Sequence, residues 1–251
     1  MKKTISSPGK AILSVAIFLF STSVRAQVDK HLGEPIPTDP VFASRNDATV
    51  DYLTARRNTR NETSNMKGTP YFIADWVSGV VVFKGNKLLN SNDPQFDWVK
   101  NELHTRYNGQ VYYFDDSVIE FVLLDTTVEG KSTEILFRNG YPAIGTHSRI
   151  SFYQVITGGA NFELLKYWAR HDHDSFEGVG TYVKEFYRVA DLYLYDLKNN
   201  TIQYINLKPS SIERAIPATY ATTVKQASNA IAGKKYSEAE LISLVQSLNS
   251  L

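Results

Sequence analysis

The sequence predicts a mainly β fold, an antiparallel β-meander forming a sandwich or open barrel, closed by two or three C-terminal helices. Three observations predict it. Between Gly68 and Leu207, short runs rich in Val, Ile, Tyr, Phe and Thr alternate with Gly, Asn and Asp punctuation, the pattern of strands joined by tight turns. After Pro209 the apolar period lengthens to that of a helix. The 251 residues contain no cysteine, so the fold must rest on burial, for which a 43% hydrophobic and 12% aromatic composition is ample.

The elements follow in chain order. Lys2, Lys3 and Lys10 accompany an apolar run, Ala11 to Phe20, and the small-residue end Val24-Arg25-Ala26 follows. A basic head, a short apolar centre and an A-x-A-like site form the plan of a secretory signal peptide, so residues 1–26 are expected to be removed on export. The apolar run is far short of the roughly 20 residues that cross a bilayer, and no later stretch is long enough, so no transmembrane segment is expected. Residues 27–67 are punctuated by Pro35, Pro37 and Pro40, and Asn58 to Asn65 contains nothing apolar. This is the composition of a polar linker, with at most one short helix near Val50–Arg57.

The β-meander domain is expected over 68–208. Gly79–Phe83 and Lys87–Asn90 flank Gly85-Asn86. Leu103–Tyr107 and Gln110–Phe114 flank Asn108-Gly109, a pair suited to the two positive-φ positions of a type I′ turn. Val118–Leu124 follows Asp115-Asp116, and Thr133–Arg138 runs from Gly130-Lys131 to Asn139-Gly140. Arg149–Thr157 and Ala160–Trp168 flank Gly158-Gly159. Tyr182–Val189, Leu192–Asp196 and Ile202–Leu207 complete the series. Ile119, Phe121 and Leu123 make a purely apolar face, and the opposite face carries only Glu120 as a charge. Such a strand is expected to be covered on both sides. Ile150, Phe152 and Ile156 share one face of their run; Ser151, Tyr153 and Val155 share the other.

The tail, 209–251, is expected to be helical and packed on the β domain. Ser210-x-x-Glu213 suits a short helix before Pro217. Tyr220, Val224, Ala227 and Ile231 form a second stripe that ends at Gly233. Ser237-Glu238-Ala239-Glu240 is a capping box, followed by Leu241, Leu244, Val245, Leu248 and Leu251 on one face. Burying such side chains is worth roughly 1.5–3 kcal/mol each, and an isolated helix of this length is marginal, so the stripe must pack on something.

Charge narrows the partners. Signal removal takes away four basic residues and no acidic one, moving the formal net charge from +1 to −3. Arg45, Arg56, Arg57, Arg60 and Lys67 are the nearest thing to a basic cluster, and they lie in the polar stretch, so no nucleic-acid partner is expected.

Gly68-Thr69-Pro70-Tyr71-Phe72 with Asp75-Trp76 opens the β region. Phe96-Asp97-Trp98 with Asn101-Glu102-Leu103 follows, and the chain closes on Leu248-Asn249-Ser250-Leu251. In these features it resembles a group of exported β-rich proteins of Gram-negative bacteria that read G-x-P-Y-x-x-x-D-W and end in a helical tail closing N-S-L. It departs from them in having Phe96-Asp97 in place of L-x-Y-N, and Ser247-Leu248 in place of paired tyrosines. The resemblance implies export and a β-meander with a helical tail, and it carries over no catalytic residue.

The candidate sites are few. His171-Asp172-His173-Asp174 puts two imidazoles on one side of an extended segment, where they can chelate a divalent metal if His147 or Glu177 supplies a third ligand. The same residues also suit a hydrated hairpin loop. Tyr182, Tyr187, Tyr193, Tyr195 and Tyr204 form a dense aromatic set; Tyr187, Tyr193 and Tyr195 are the candidate ligand-binding residues, although strands favour rings for packing alone. Gly130-Lys131-Ser132 lacks the upstream glycine of a P-loop, that position being Asp125, and no G-x-S-x-G or H-E-x-x-H occurs. Asp115-Asp116 and Glu120 fit turn chemistry better than a facing carboxylate pair. The expectation is an exported, periplasmic or secreted module of the cell envelope without a cofactor. It would bind an envelope protein, a saccharide or an apolar ligand without catalysing a reaction. The alternative is a metal-dependent hydrolase centred on His171 and His173.

Overall fold

The structure, a computed structural model, describes residues 53–54, 66–91, 93–107, 110–115, 117–125, 133–176 and 182–251. The signal segment 1–26, most of 27–67 and the Asn108-Gly109 turn lie outside the described residues. The strands are β1 (Leu53–Thr54), β2 (Met66–Lys67), β3 (Ser78–Phe83), β4 (Lys87–Ser91), β5 (Pro94–Asp97), β6 (Glu102–Tyr107), β7 (Gln110–Phe114) and β8 (Val118–Asp125). They continue with β9 (Thr133–Arg138), β10 (Tyr153–Gly158), β11 (Phe162–Phe176), β12 (Tyr182–Asp196) and β13 (Thr201–Ile205). The helices are α1 (Pro209–Ala215), a 3-10 turn (Ala218–Tyr220), α2 (Ala221–Ala230) and α3 (Glu238–Asn249). The protein is mainly antiparallel β with its helices at the C-terminal end.

Two sheets form. The larger runs β13-β12-β11-β10-β9-β8-β3-β4, with β2 lying parallel to β12; the smaller runs β1-β7-β6-β5. Neither closes into a barrel. Turn chemistry sets the first hairpin: the Asn86 N–H donates to the Phe83 carbonyl at 3.0 Å, and Gly85 (φ +82°) and Asn86 (φ +59°) take left-handed conformations in the three-residue connection to Lys87. Gly79 lies inside β3 for a different reason. A Cβ there would run into the Val122 carbonyl and come within 2.8 Å of Pro94 Cγ, so only glycine allows the crossing.

Cross-strand partners share a sheet face. Phe137 opposes Gln154, which opposes Lys166, which opposes Leu192, which opposes Ile205. These residues mark one face of the larger sheet. At one end of that face Phe121 and Phe137 stack at 4.9 Å, and Phe96 of the smaller sheet packs on them at 5.2 and 4.7 Å. At the other end Leu164, Leu194 and Ile205 meet Ile212, Val224, Leu241, Leu244, Val245 and Leu248. The smaller sheet and the helices therefore sit side by side on one face. The helical stripe closes as its spacing implies, and the capping box forms in both directions at Ser237 and Glu240.

Several elements differ from the sequence reading. The 27–67 stretch supplies strands: Leu53–Thr54 pairs with β7, where a short helix was the only element expected, and Met66–Lys67 pairs with β12. Pro94–Asp97 is an additional strand, hidden because all four residues are buried and show no alternation. The run from Arg149 becomes a strand only at Tyr153. The Asn101 side chain takes the place of a strand partner at Phe152, accepting its N–H at 2.7 Å and donating to its carbonyl at 3.3 Å. Ile150 consequently sits in a turn and is 53% exposed. Tyr182–Val189 and Leu192–Asp196 are one strand, β12, and its partner β11 runs past Trp168 to Phe176. The His171–Asp174 segment is thus extended ladder, not a hairpin loop. Helix α1 starts at Pro209, not behind a Ser210 cap, with proline in the first turn, where its missing N–H costs nothing. Leu251 leaves the stripe and is 75% exposed, because α3 ends at Asn249.

Candidate functional site

Among the described residues, the second face of the larger sheet carries neither helices nor the smaller sheet. Its register rows run Arg138–Tyr153, Val155–Leu165–Tyr193–Tyr204 and Glu163–Tyr195–Ile202. The segment 139–152, joining β9 to β10, crosses this face as a strap. Tyr141, Tyr153, Leu165, Tyr193 and Ile202 form a buried cluster beneath it, with Ile144, Val155, Tyr167 and Tyr195 around them. The rings meet mainly edge to face, Tyr141 on Tyr153 at 5.4 Å and Tyr153 on Tyr193 at 5.4 Å, the arrangement that ring quadrupoles favour.

Four side-chain contacts tie the strap down, the first at Asn139, whose Nδ2 donates to the Val118 carbonyl at 2.8 Å. Tyr141 donates to Glu163 Oε2 at 2.7 Å. His147 Nδ1 shares a hydrogen bond with the Tyr153 hydroxyl at 2.7 Å, and its ring stacks on Tyr167 with centroids 3.8 Å apart. The Asn101 side chain holds Phe152, as described above. Beneath the strap Arg138 is clamped between two carboxylates, donating to Glu120 Oε2 and to Glu163 Oε1, each at 2.6 Å. Burial opposes the Arg138 charge, but Glu163, Tyr141 and Glu120 outweigh it and hold the guanidinium above its usual pKa. Burial and then Glu163 push the Tyr141 phenol far up. Tyr193 is pushed to about 12 by burial, with Asp191, Tyr204 and Tyr167 adding to it, and Tyr153 also rises. These phenols stay neutral, and that of Tyr141 keeps the proton it donates to Glu163. Burial lowers the His147 pKa against the opposing pull of Asp191, so its imidazole favours the neutral form.

The strap also forms one side of a cleft of about 330 Å³. Lys100, Glu102, Asp115, Asn139, Ser148 and Ser151 give it polar walls, while Phe114, Phe152 and Tyr167 supply ring surface. Tyr167 joins the two parts of the site, since it lines the cleft and carries the His147 stack. The cleft combines donors and acceptors with apolar side chains, a lining able to hold a small polyhydroxylated or amphipathic molecule.

The structure brings two of the three candidate tyrosines together. Tyr193 and Tyr195 lie two residues apart on the strap-covered face; Tyr193 is 7% exposed, and the Tyr195 hydroxyl donates to Asn200 at 3.0 Å. Tyr204, beside Tyr193, is the open ring at 54% exposure. Tyr187 pairs in the ladder with His171, and His173 pairs with Glu185. The side chains of all four lie outside the described residues, as does Glu177. His147, the other possible third ligand, is engaged with Tyr153 and Tyr167. Among the described residues no three His, Asp or Glu side chains gather as a metal would need. Asp115 accepts from Ser117 N–H at 2.8 Å, a turn contact, and Glu120 is held by Arg138. Sequence reasoning missed the Arg138–Glu163–Tyr141 network and the cleft. The one available signal was the charge of Arg138 and Glu163 beside the apolar runs Ile135–Phe137 and Leu164–Leu165.

Set against known proteins, the chain matches no family model, no curated protein and no solved structure.

Proposed function

We propose that this protein is an exported, non-enzymatic binding module of the cell envelope, and that the cleft beside the strap takes a saccharide. The observation carrying this reading is the mixed cleft lining, in which the aromatic residues Tyr167, Phe114 and Phe152 stand among Glu102, Asp115, Asn139, Lys100 and two serines. A sugar presents the matching surface, with C–H groups on its faces and hydroxyls at its edge. A volume near 330 Å³ suits one or two rings, at the small end of ligand pockets. The signal-like first 26 residues support export to the periplasm or the medium, and no helix among the described residues is long and apolar enough to cross a membrane.

The test is a panel of envelope-derived oligosaccharides titrated into the purified protein by calorimetry, with Lys100→Ala/Glu102→Gln as the cleft variant. Saturable binding that the double substitution weakens by about tenfold, the effect of losing one or two good polar contacts, supports the reading. A panel without a binder, or binding indifferent to the substitutions, overturns it. Cell fractionation tests the compartment, and an unprocessed N-terminus in the cytoplasm would count against export.

A further inference from the structure

We infer that the groove between β12, the end of β13 and the loop before α3 is a binding site for the carboxylate end of a single-chain fatty acid. The groove has a volume of about 350 Å³. Its floor follows from register. Leu192 opposes Ile205, and both lie on the face of the larger sheet that carries the helices. Ala190, two residues before Leu192 in the same strand, shares that face, and Leu207 packs on the same apolar cluster. Ile205 is buried, so Ala190, Leu192 and Leu207, all half-buried, supply the reachable apolar surface.

Two lysines stand on the same side as this floor. Lys208 is the N-cap of α1, and Lys235 precedes Tyr236, whose N–H donates to the Leu207 carbonyl at 2.8 Å. Among the described residues no carboxylate lines the groove, and neither lysine has an ion pair or side-chain hydrogen bond. Glu238, at the start of α3, is already held by Lys166 at 2.7 Å. Apolar surface and uncompensated positive charge on one side suit a molecule whose apolar body leads straight to a negative end. Asn206, the one amide in the lining, already accepts the Lys208 N–H at 3.0 Å, so the groove has little to offer a sugar or glycerol head. Its volume is at the small end of ligand sites, with room for one chain and not for two. Lysine stems can also lie along apolar surface merely to shield it. Shielding predicts no ligand, and the experiment separates the two. The groove shares no lining residue with the cleft, so this inference stands apart from the saccharide reading.

The experiment titrates laurate, held below its micelle concentration, into the full chain by calorimetry. Octanoate, acetate and the cation dodecyltrimethylammonium are run beside it. Laurate is expected to bind at a single site. Octanoate, with a shorter chain in the groove, should bind about tenfold more weakly, and neither acetate nor the cation should bind at concentrations where laurate saturates. Lys208→Glu/Lys235→Glu, both at exposed positions and checked for unchanged circular dichroism, is expected to weaken laurate binding by about tenfold or more. Lys198→Glu/Lys225→Glu changes the net charge equally at exposed positions outside the groove, and should leave the affinity within about twofold. The cleft variant Lys100→Ala/Glu102→Gln should bind laurate as the wild type does, so failure here and failure of the saccharide reading are told apart. The inference is overturned if laurate does not bind or binds at several sites, or if octanoate or the cation binds as tightly. It is equally overturned if acetate displaces laurate at a similar concentration, or if the two lysine pairs respond alike.

Discussion

Asn249, the last residue of α3, clasps the helix to the turn between β10 and β11. Its Oδ1 accepts the Asn161 N–H at 2.9 Å and the Phe162 N–H at 2.7 Å, and its Nδ2 donates to the Phe162 carbonyl at 2.9 Å. Asn161 returns a bond to the Leu248 carbonyl at 3.0 Å. Asn249→Ala removes three hydrogen bonds at once. Asn161 is near enough to the surface for water to replace one, but Phe162 is buried, so its N–H and C=O are left without partners. A stranded buried group costs about 1–3 kcal/mol, which puts the expected loss near 3 kcal/mol. In a chain of this size that lowers Tm by about 6–12 °C. Asn249→Asp keeps the acceptor and loses the donor, so it should cost roughly half as much.

The same contact explains Gly159. A Cβ there would lie 2.5 Å from Asn249 Cγ and 2.7 Å from its Nδ2, so Gly159→Ala must push the clasp aside. In the Asn249→Ala background that obstacle is gone. Urea unfolding of the two single variants and the double, followed by tryptophan fluorescence, should therefore show the double less destabilised than the sum of the singles by about 1 kcal/mol or more. Additivity within about 0.5 kcal/mol would refute the clasp, as would a cost below about 1 kcal/mol for Asn249→Ala.

Two further perturbations address the strap-covered face. Arg138→Met leaves Glu163, whose side chain is 9% exposed, beside Glu120 with no cation between them, and should cost about 3–5 kcal/mol in equilibrium unfolding. Adding Glu163→Gln removes the buried charge and should recover much of that loss; no recovery would mean the network is not what holds this region. His147 has its pKa lowered by burial against Tyr153, Tyr167 and Tyr193, with Asp191 opposing, so the unfolded chain takes up its proton more readily than the folded one. Its contribution is fully present above about pH 6.5, the unfolded value, and is lost as pH falls through the lower folded value. His147→Phe keeps a ring on Tyr167 without a titrating group, so its Tm should fall less than that of the wild type between pH 7.5 and 5.5. Parallel curves would refute the assignment.

What could be read from the sequence was what neighbouring residues decide. The Gly85-Asn86 turn, the Ser237–Glu240 capping box and the Leu241-to-Leu248 stripe each need only a few consecutive residues, and each forms. Long-range choices were not legible. β8 returns to pair with β3 because β5, β6 and β7 leave to build a second sheet, and a period of two is the same in either sheet. Proline at the head of Pro94–Asp97 and burial of every residue in it erased the strand signal there. β12 read as two strands because Ala190-Asp191 interrupts the run between Val189 and Leu192, and that break is bridged from afar by the ladder to Trp168 and Tyr167 of β11. At the candidate site the tyrosines of β12 were visible, but the strap over them was not. Its contacts join His147 to Tyr167 and Tyr141 to Glu163 across 20 or so intervening residues.

The two faces of the larger sheet are covered by different physics. The face under the helices and the smaller sheet is sealed by apolar side chains, whose burial is additive and spread over many residues. The other face is covered by one irregular segment, and irregular backbone cannot satisfy itself, so its polar groups must find partners in the sheet. Tyrosine meets both needs, filling a half-buried surface with its ring and offering a hydroxyl at the tip, which accounts for Tyr141, Tyr153, Tyr167 and Tyr193 gathering here. A cover held by a few directional bonds opens more readily than one held by a broad apolar contact. Losing the Asn249 clasp should therefore shift the global unfolding transition, while losing the His147 bond should first expose amides around residues 139–152 to hydrogen exchange. The polar walls of the cleft belong partly to that strap, through Asn139, Ser148 and Ser151, so opening the strap would also reshape the cleft.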